Sequence, residues 1–124
     1  MRINSNNLKF TDITAGKGTQ MQVLISDKDA PNFAMRRFRI NPGGFMPNHM
    51  NSVEHEQYIL RGRAEVLLGE VILEAREGDV LFIPAWTPHS YKTIGDVPYE
   101  FLCMVPNKKD TIQLIEEKDP EDVD

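Results

Sequence analysis

Turn-forming residues recur so often in the middle of this 124-residue chain that a long helix has no room there. Between Pro42 and Pro106 there are six glycines and six prolines, which interrupt the chain every several residues. The segments between the turns are rich in Val, Ile, Phe and Tyr, which favour pleated strands. We predict strands over residues 20–25, 34–40, 57–60, 64–68, 70–73, 80–83, 91–94 and 99–105. Many short strands without helical periodicity predict an all-β sandwich or barrel in a single domain.

The C-terminal end differs from the rest of the chain in pattern and charge. Residues 110–118 contain the apolar pair Leu114 and Ile115 before Pro120, and this pattern predicts a short helix. Residues 116–124 account for the whole net charge of −5, so the remaining chain is neutral. A neutral body has no electrostatic footprint for nucleic acid or an anionic membrane, and we expect neither as a partner.

The composition of the chain also indicates in which cellular compartment the protein is expected. No apolar run approaches the roughly 20 residues of a membrane helix, so no spanning segment is expected. The single cysteine, Cys103, excludes an internal disulfide framework and a zinc knuckle built on cysteines. Because the chain also lacks an N-glycosylation motif, we expect a cytoplasmic protein.

The three histidines of the chain have spacings typical of a shared site. His49 and Asn51 are two residues apart and His55 is six residues from His49, so an extended backbone brings all three to one side. His89 follows a different strand and must reach the same place from another part of the sheet. Imidazole suits zinc, copper, iron and nickel, whereas carboxylate or amide oxygen suits harder ions. We therefore predict a metal site inside the barrel.

Two segments around these histidines resemble the motifs of the cupins. The first cupin motif has the spacing seen here at Gly43, His49, Asn51, His55 and Gly62, and the second has that of Gly78, Pro84 and His89. A subgroup of small single-domain cupins with a four-histidine site is similar over residues 29–33, 54–56 and 101–106. Three positions depart from the family: Asn51 replaces a histidine, Trp86 a glycine and Thr93 an asparagine.

The resemblance implies a double-stranded β-helix (jelly-roll) barrel that binds one divalent transition metal, which could be Fe, Mn, Cu, Zn or Ni. Its ligands would be His49, His55 and His89. Asn51 is either a fourth ligand or a hydrogen-bonding group beside an open coordination position, and both alternatives stay open.

The resemblance also divides the chain. The barrel core spans residues 29–106. Residues 1–28 form an N-terminal strand segment that could pair with a second copy, because small cupins are usually homodimers. Residues 107–124 form a short C-terminal segment with an acidic tail.

Arg36 is the first candidate for binding a substrate. Strand alternation places it on the same face as Phe38 and Ile40, so it would point into the barrel and could clamp a carboxylate or phosphate. The alternative is an ion pair or a position on the barrel rim, and the sequence does not decide between them.

Three further residues are candidates for contact with a small-molecule ligand. Phe101 and Cys103 alternate on the last strand and could line the pocket wall, but ordinary core packing is the preferred interpretation of both. Tyr58 is a candidate because, with the histidines used as ligands, it and the glutamates are the remaining bases. No residue is assigned a catalytic role.

A three-imidazole site is similar to the iron sites of some cupin dioxygenases. We therefore expect a metal-binding cupin with dioxygenase-like oxidoreductase activity on a small organic acid or similar substrate. Two alternatives stay open: a sugar-type isomerase or lyase that uses the metal as a Lewis acid, and a non-enzymatic module that binds a small molecule or metal.

Overall fold

A computed structural model of the protein describes residues 1–115, which form ten β-strands and one turn of 3-10 helix at Ser5–Asn7. The strands are β1 (Thr11–Asp12), β2 (Lys17–Ile25), β3 (Phe33–Asn51), β4 (His55–Arg61), β5 (Arg63–Leu68), β6 (Val71–Arg76), β7 (Val80–Ile83), β8 (His89–Ile94), β9 (Tyr99–Pro106) and β10 (Ile112–Leu114). The acidic tail predicted at 116–124 lies outside the described residues.

Strand β3 is 19 residues long and continues well beyond the predicted range of 34–40. Its first part pairs with β2 and β9, and its last part pairs with β8 and β10. The strand changes partners at Gly43, where φ is 78°, and at Gly44. A Cβ atom on Gly44 would lie 2.6 Å from the Lys17 carbonyl oxygen and 2.8 Å from that of Asn41, so only glycine fits this crossing.

Because β3 changes partners, it divides one continuous ten-stranded antiparallel sheet into two halves, which form the two sheets of the barrel. One has the order β1-β2-β3-β9-β4-β7 and the other the order β10-β3-β8-β5-β6. The buried side chains of both sheets pack against each other in one core. The predicted all-β jelly roll is confirmed, while the segment boundaries at residues 28 and 106 stay predictions.

Aromatic rings fill the centre of the barrel. Phe38 stacks on Phe101 at 5.1 Å between ring centroids, and Tyr91 and Tyr99 lie 5.2 and 5.4 Å from the same ring. These rings come from β3, β8 and β9, so they join the two sheets. Phe38, Tyr91 and Phe101 also line the cavity described below.

The helix predicted at 110–118 is wrong over its described part, because Ile112–Leu114 is the strand β10. The pairing of β2 with β3 reaches only as far as Lys17 and Phe45. After Phe45, β10 pairs with β3 from His49 to Asn51. The amide of Ile115 also donates to the carbonyl of Asn48 at 3.0 Å. A short helix is marginal in water, so this ladder determines the local structure.

The N-terminal strands pair within the chain, since β2 lies between β1 and β3. The Gln22 side chain fixes the segment before them by donating to the carbonyls of Ser5 and Leu8. The homodimer and the cytoplasmic location stay predictions. None of the helical structure in residues 1–115 is long and apolar enough to cross a membrane.

A buried carboxylate joins three strands on the outer side of the barrel. Glu100, on β9, is 2% exposed and accepts hydrogen bonds from Arg37 at 3.1 Å and Arg39 at 3.0 Å, with Arg61 at 3.7 Å. The exposed Glu74 likewise bridges two arginines, Arg63 and Arg76, but in contact with solvent.

We predict that Glu100→Gln lowers the free energy of unfolding by about 3 kcal/mol, because it leaves clustered arginines without their buried counter-charge. Glu74→Gln is the matched control and should cost less than about 1 kcal/mol, because water screens its ion pairs. Urea denaturation measures both. Equal losses would contradict the structural importance of the buried cluster.

Candidate metal centre

Four polar side chains from both sheets meet at one end of the barrel. His49 and Asn51 end β3, His89 begins β8, and His55 begins β4. His49 and His89 are direct neighbours in the ladder, with ring centroids 4.0 Å apart, and the centroid of His55 lies 5.9 Å from that of His89. The four residues are between 1% and 7% exposed. The structure therefore brings together all the residues predicted as ligands.

A bulge in β3 turns His49 inward. His49 lies three positions after Met46, whereas their partners on β8, Tyr91 and His89, lie only two positions apart. Such an extra residue reverses which face the following side chains occupy. Arg36, at an even position before the bulge, and His49, at an odd position after it, consequently line the same cavity.

Backbone carbonyls orient two of the imidazole rings. Nδ1 of His49 lies 2.8 Å from the carbonyl oxygen of Pro47, and Nδ1 of His89 lies 2.9 Å from that of Thr87. A carbonyl oxygen only accepts hydrogen bonds, so each Nδ1 donates and each Nε2 keeps its lone pair. Neutral histidines that bind metals are oriented in this way.

Among residues 1–115, three buried atoms of the cluster have no hydrogen-bond partner: Nε2 of His55, Nε2 of His89 and Oδ1 of Asn51. Buried polar atoms in proteins are nearly always paired. Two imidazole nitrogens and an amide oxygen are all lone-pair donors that fit a transition metal.

The cluster is not a closed coordination shell. Within residues 1–115, no group of three or more His, Cys, Asp or Glu side chains is placed around one metal position. The donor chemistry of the site therefore fits a metal, while the role of the histidines and Asn51 as ligands stays a prediction.

A cavity of about 230 Å³ opens beside these residues. Arg36, Phe101 and Cys103 line it, as do apolar side chains from β2, β3 and β10. Tyr58 does not line it and is corrected to the outer face of β4, where it is 45% exposed. Because side chains alternate along a strand, the inward orientation of His55 places Tyr58, three residues later, outside.

Arg36 lines this cavity, and no carboxylate of residues 1–115 forms an ion pair with it. Its Nη2 donates to the sulfur of Cys103 at 3.4 Å, and its guanidinium carbon lies 5.1 Å from the centre of the Phe38 ring. Its Nε is buried and has no partner. The ion pairs found in residues 1–115 do not include Arg36, so the ion-pair alternative finds no support there.

Two polar residues of the site were missed by the sequence analysis. Gln57 lines the cavity and donates to the Tyr91 hydroxyl at 2.8 Å, and strand alternation two residues after His55 could have identified it. Asp110 contacts the Asn51 side chain at 3.0 Å. No local pattern could have shown this contact, because Asn51 and Asp110 lie 59 positions apart in the sequence.

Comparison with known proteins identifies the family to which this barrel belongs. The family model described as "Cupin domain" matches residues 36–105, more than half of the chain. The chain belongs to the cupin family.

Two solved cupin-like structures overlay closely on this cupin. The polyketide cyclase RemF from Streptomyces resistomycificus has a TM-score of 0.87 and is 26% identical, over 95% of this chain and 87% of RemF. A cupin-2 domain protein from Rhodospirillum rubrum has a TM-score of 0.83 and is 25% identical, over 94% of this chain and 81% of that protein.

A curated relative is the 1-methylthio-D-xylulose 5-phosphate methylsulfurylase of Rhodospirillum rubrum. It is 32% identical to this cupin over 98 residues, which are 79% of this chain. The aligned part is 62% of that enzyme, and for a second relative, from Methanocaldococcus jannaschii, it is 40%. The chain thus matches less than two thirds of either relative.

Burial keeps the histidines of the cupin neutral. Desolvation lowers the pKa of His55 to about 3, and the nearby Arg36 contributes in the same direction. Desolvation and the neighbouring His49 lower the pKa of His89 to about 4. The pKa of His49 is also lowered by burial, although its bond to Pro47 opposes the shift. Neutral imidazole, the form that binds metals, therefore persists in mildly acidic solution.

These pKa shifts predict how stability depends on pH. An unfolded histidine titrates near pH 6.5, so between there and about pH 4 the unfolded chain binds protons that folded His89 does not, and stability falls as pH falls. Between pH 7 and pH 5, His89→Gln should lose about 2 kcal/mol less stability than the wild type. Urea denaturation with a chelator present measures this, and identical pH profiles would contradict the prediction.

Proposed function

We propose that this cupin is a metal-dependent enzyme acting on a small organic anion, with a dioxygenase-like oxidation as the first candidate reaction. One observation supports this proposal above the others. The unpartnered Nε2 atoms of His55 and His89 share a cavity with Arg36, which has no counter-charge in residues 1–115. Imidazole nitrogens that could bind a metal cation thus share one cavity with a guanidinium that could bind an organic anion.

The residues that would hold the metal are His49, His55 and His89, with Asn51 either as a fourth donor or beside an open position. A bound iron or similar ion would supply redox chemistry and open positions for a chelating substrate and dioxygen. The carbonyls of Pro47 and Thr87 contribute by presenting Nε2 of their histidines to the cavity.

Arg36 would bind and orient the substrate. Its guanidinium matches the two oxygens of a carboxylate or phosphate, and the surrounding apolar walls strengthen such a pair by excluding water. Phe38 and Phe101 form the aromatic end of the cavity. A small anion held at Arg36 would therefore place its remaining atoms towards the histidines.

The cavity lining favours oxidation over proton transfer. In the described part of the chain, no aspartate or glutamate lines it. Burial raises the pKa of the Tyr91 hydroxyl and that of the Cys103 thiol, so both groups are protonated at neutral pH. An isomerase needs a base that accepts a proton from carbon, and these two groups are poor candidates.

A second candidate comes from the curated relative, whose name indicates activity on 1-methylthio-D-xylulose 5-phosphate. Arg36 suits a phosphate as well as a carboxylate. Dioxygen uptake with a panel of small organic acids tests the first reaction, and mass spectrometry of that phosphorylated ketose tests the second. Metal binding without either reaction would favour a binding module.

We predict that the untagged protein contains a transition metal and that His49→Ala, His55→Ala and His89→Ala each lose most of it. Each variant removes one donor from a site with few others. Mass spectrometry of metal content is the measurement. Glu56→Ala, next to His55 but on the outer face, is the control and should keep the metal. A His55→Ala protein with full metal content would refute its role as a ligand.

Arg36→Met should weaken the binding of inorganic phosphate and pyruvate, used as probe anions, about thirtyfold. A charge-assisted bidentate pair contributes about 2 kcal/mol, while methionine keeps most of the side-chain volume. Calorimetry on the metal-loaded protein measures the affinities. Arg61→Met, the same change in charge on the outside of the barrel, should have no effect. Equal affinities in wild type and Arg36→Met would exclude Arg36 as the anion-binding residue.

A further inference from the structure

We propose that Asp110 is a positioning residue that fixes the side-chain amide of Asn51 and directs its oxygen into the metal site. The inference rests on the proposed function, because the oxygen so directed is a donor to the metal. Asp110 lies beyond residues 36–105, the part of the chain that the cupin model matches.

The orientation of the amide follows from hydrogen-bond chemistry. Nδ2 of Asn51 donates to Oδ2 of Asp110 at 3.0 Å. An ionised carboxylate only accepts hydrogen bonds, so it must face the NH₂ end of the amide. Oδ1 of Asn51 then faces the other way, where it is buried and has no partner. Asn51 also lines the cavity, so its free oxygen belongs to the same site as the histidines.

The carboxylate of Asp110 is itself fixed. Its second oxygen, Oδ1, accepts from the backbone amide of Ser52 at 3.1 Å and from the Ser52 hydroxyl at 3.2 Å. The same hydroxyl accepts from the amide of Thr111 at 2.7 Å. Because both oxygens have partners, rotation of the carboxylate would break three hydrogen bonds.

An amide ligand needs such a constraint, because one end of its side chain accepts hydrogen bonds and the other end donates them. A free Asn51 side chain could turn either end towards the site, and its NH₂ end would repel a cation. Asp110 removes this choice. Its negative charge also favours a cation nearby, because the carboxylate contacts Asn51, which lines the cavity. Orientation and charge are thus two separable contributions.

The test is a cobalt(II) titration of the full-length protein that follows affinity and the visible absorption spectrum. Asp110→Ala should lower cobalt affinity about tenfold and change the spectrum, the usual scale for losing a group that orients a ligand. Asp110→Asn keeps an oxygen that can accept from Asn51, so it should keep the wild-type spectrum and lose less affinity. Ser52→Ala removes one of the two hydrogen bonds that hold Oδ1, so it should change the spectrum less than Asp110→Ala does. Lys109→Ala, at the exposed neighbour of Asp110, is the control and should keep the wild-type spectrum.

A double-mutant cycle separates action through Asn51 from other effects. In an Asn51→Ala background, Asp110→Ala should leave the spectrum unchanged, because the amide on which it acts is gone. The proposal is overturned if Asp110→Ala has the wild-type spectrum and affinity, or if it changes the spectrum equally in both backgrounds.

A measurement without metal makes failure of this inference distinguishable from failure of the proposed function. The side-chain NH₂ resonances of Asn51 in the metal-free protein should shift upfield in Asp110→Ala, because a bond to a carboxylate is lost. A wild type that binds no cobalt would refute the proposed function, while this shift would still support orientation by Asp110. Unshifted resonances would refute that orientation whatever metal binds.

Discussion

The fold and the site both depend on one continuous strand, β3, which belongs to both sheets. Its first part carries Arg36, and its last part carries His49 and Asn51. Gly44 permits the crossing between the sheets, because any side chain there would collide with the carbonyls of Lys17 and Asn41. The bulge after Met46 then sets which face the last residues occupy. The separation of Arg36 from His49 and Asn51 in the cavity is therefore a property of one backbone segment.

The same geometry concentrates unsatisfied polar groups in a small volume. Nε2 of His55, Nε2 of His89, Oδ1 of Asn51 and Nε of Arg36 are all buried without partners. Each such group costs about 1–3 kcal/mol of stability. The buried ion pairs of Glu100 lie on the outer side of the barrel and stabilise the scaffold independently of these groups. A ligand that satisfied these atoms would bind the folded state alone and so stabilise it.

Local periodicity explains which features could be predicted from the sequence. The even spacing of His49, Asn51 and His55 predicts their common face, and alternation predicts that Arg36 points inward, as the structure shows. The same rule places Tyr58 outside, but its selection rested on its chemistry as a base and not on its position. Asp110 and the strand β10 could not be found in this way, because long-range pairing with β3 determines both.

The three departures from the cupin motifs are connected through β3. Asn51 lies on it, the backbone amide of Trp86 donates to the carbonyl of Asn51 at 2.7 Å, and the hydroxyl of Thr93 donates to the carbonyl of Ile40 at 2.9 Å. Trp86 has a φ of 60°, which explains why the motif usually has glycine there, and the strain is tolerated where surrounding contacts fix the loop.

Asn51 and Trp86, two of these departures, contact each other directly. The backbone carbonyl of Asn51 accepts from the amide of Trp86, and the Asn51 side chain donates to Asp110. The end of β3 is therefore fixed from the β7–β8 loop on one side and from the segment before β10 on the other. Trp86 thus holds the backbone of Asn51, and Asp110 holds its side-chain amide. The replacement of a histidine by Asn51 is consequently best understood together with Trp86 and Asp110, and not as an isolated loss of a ligand.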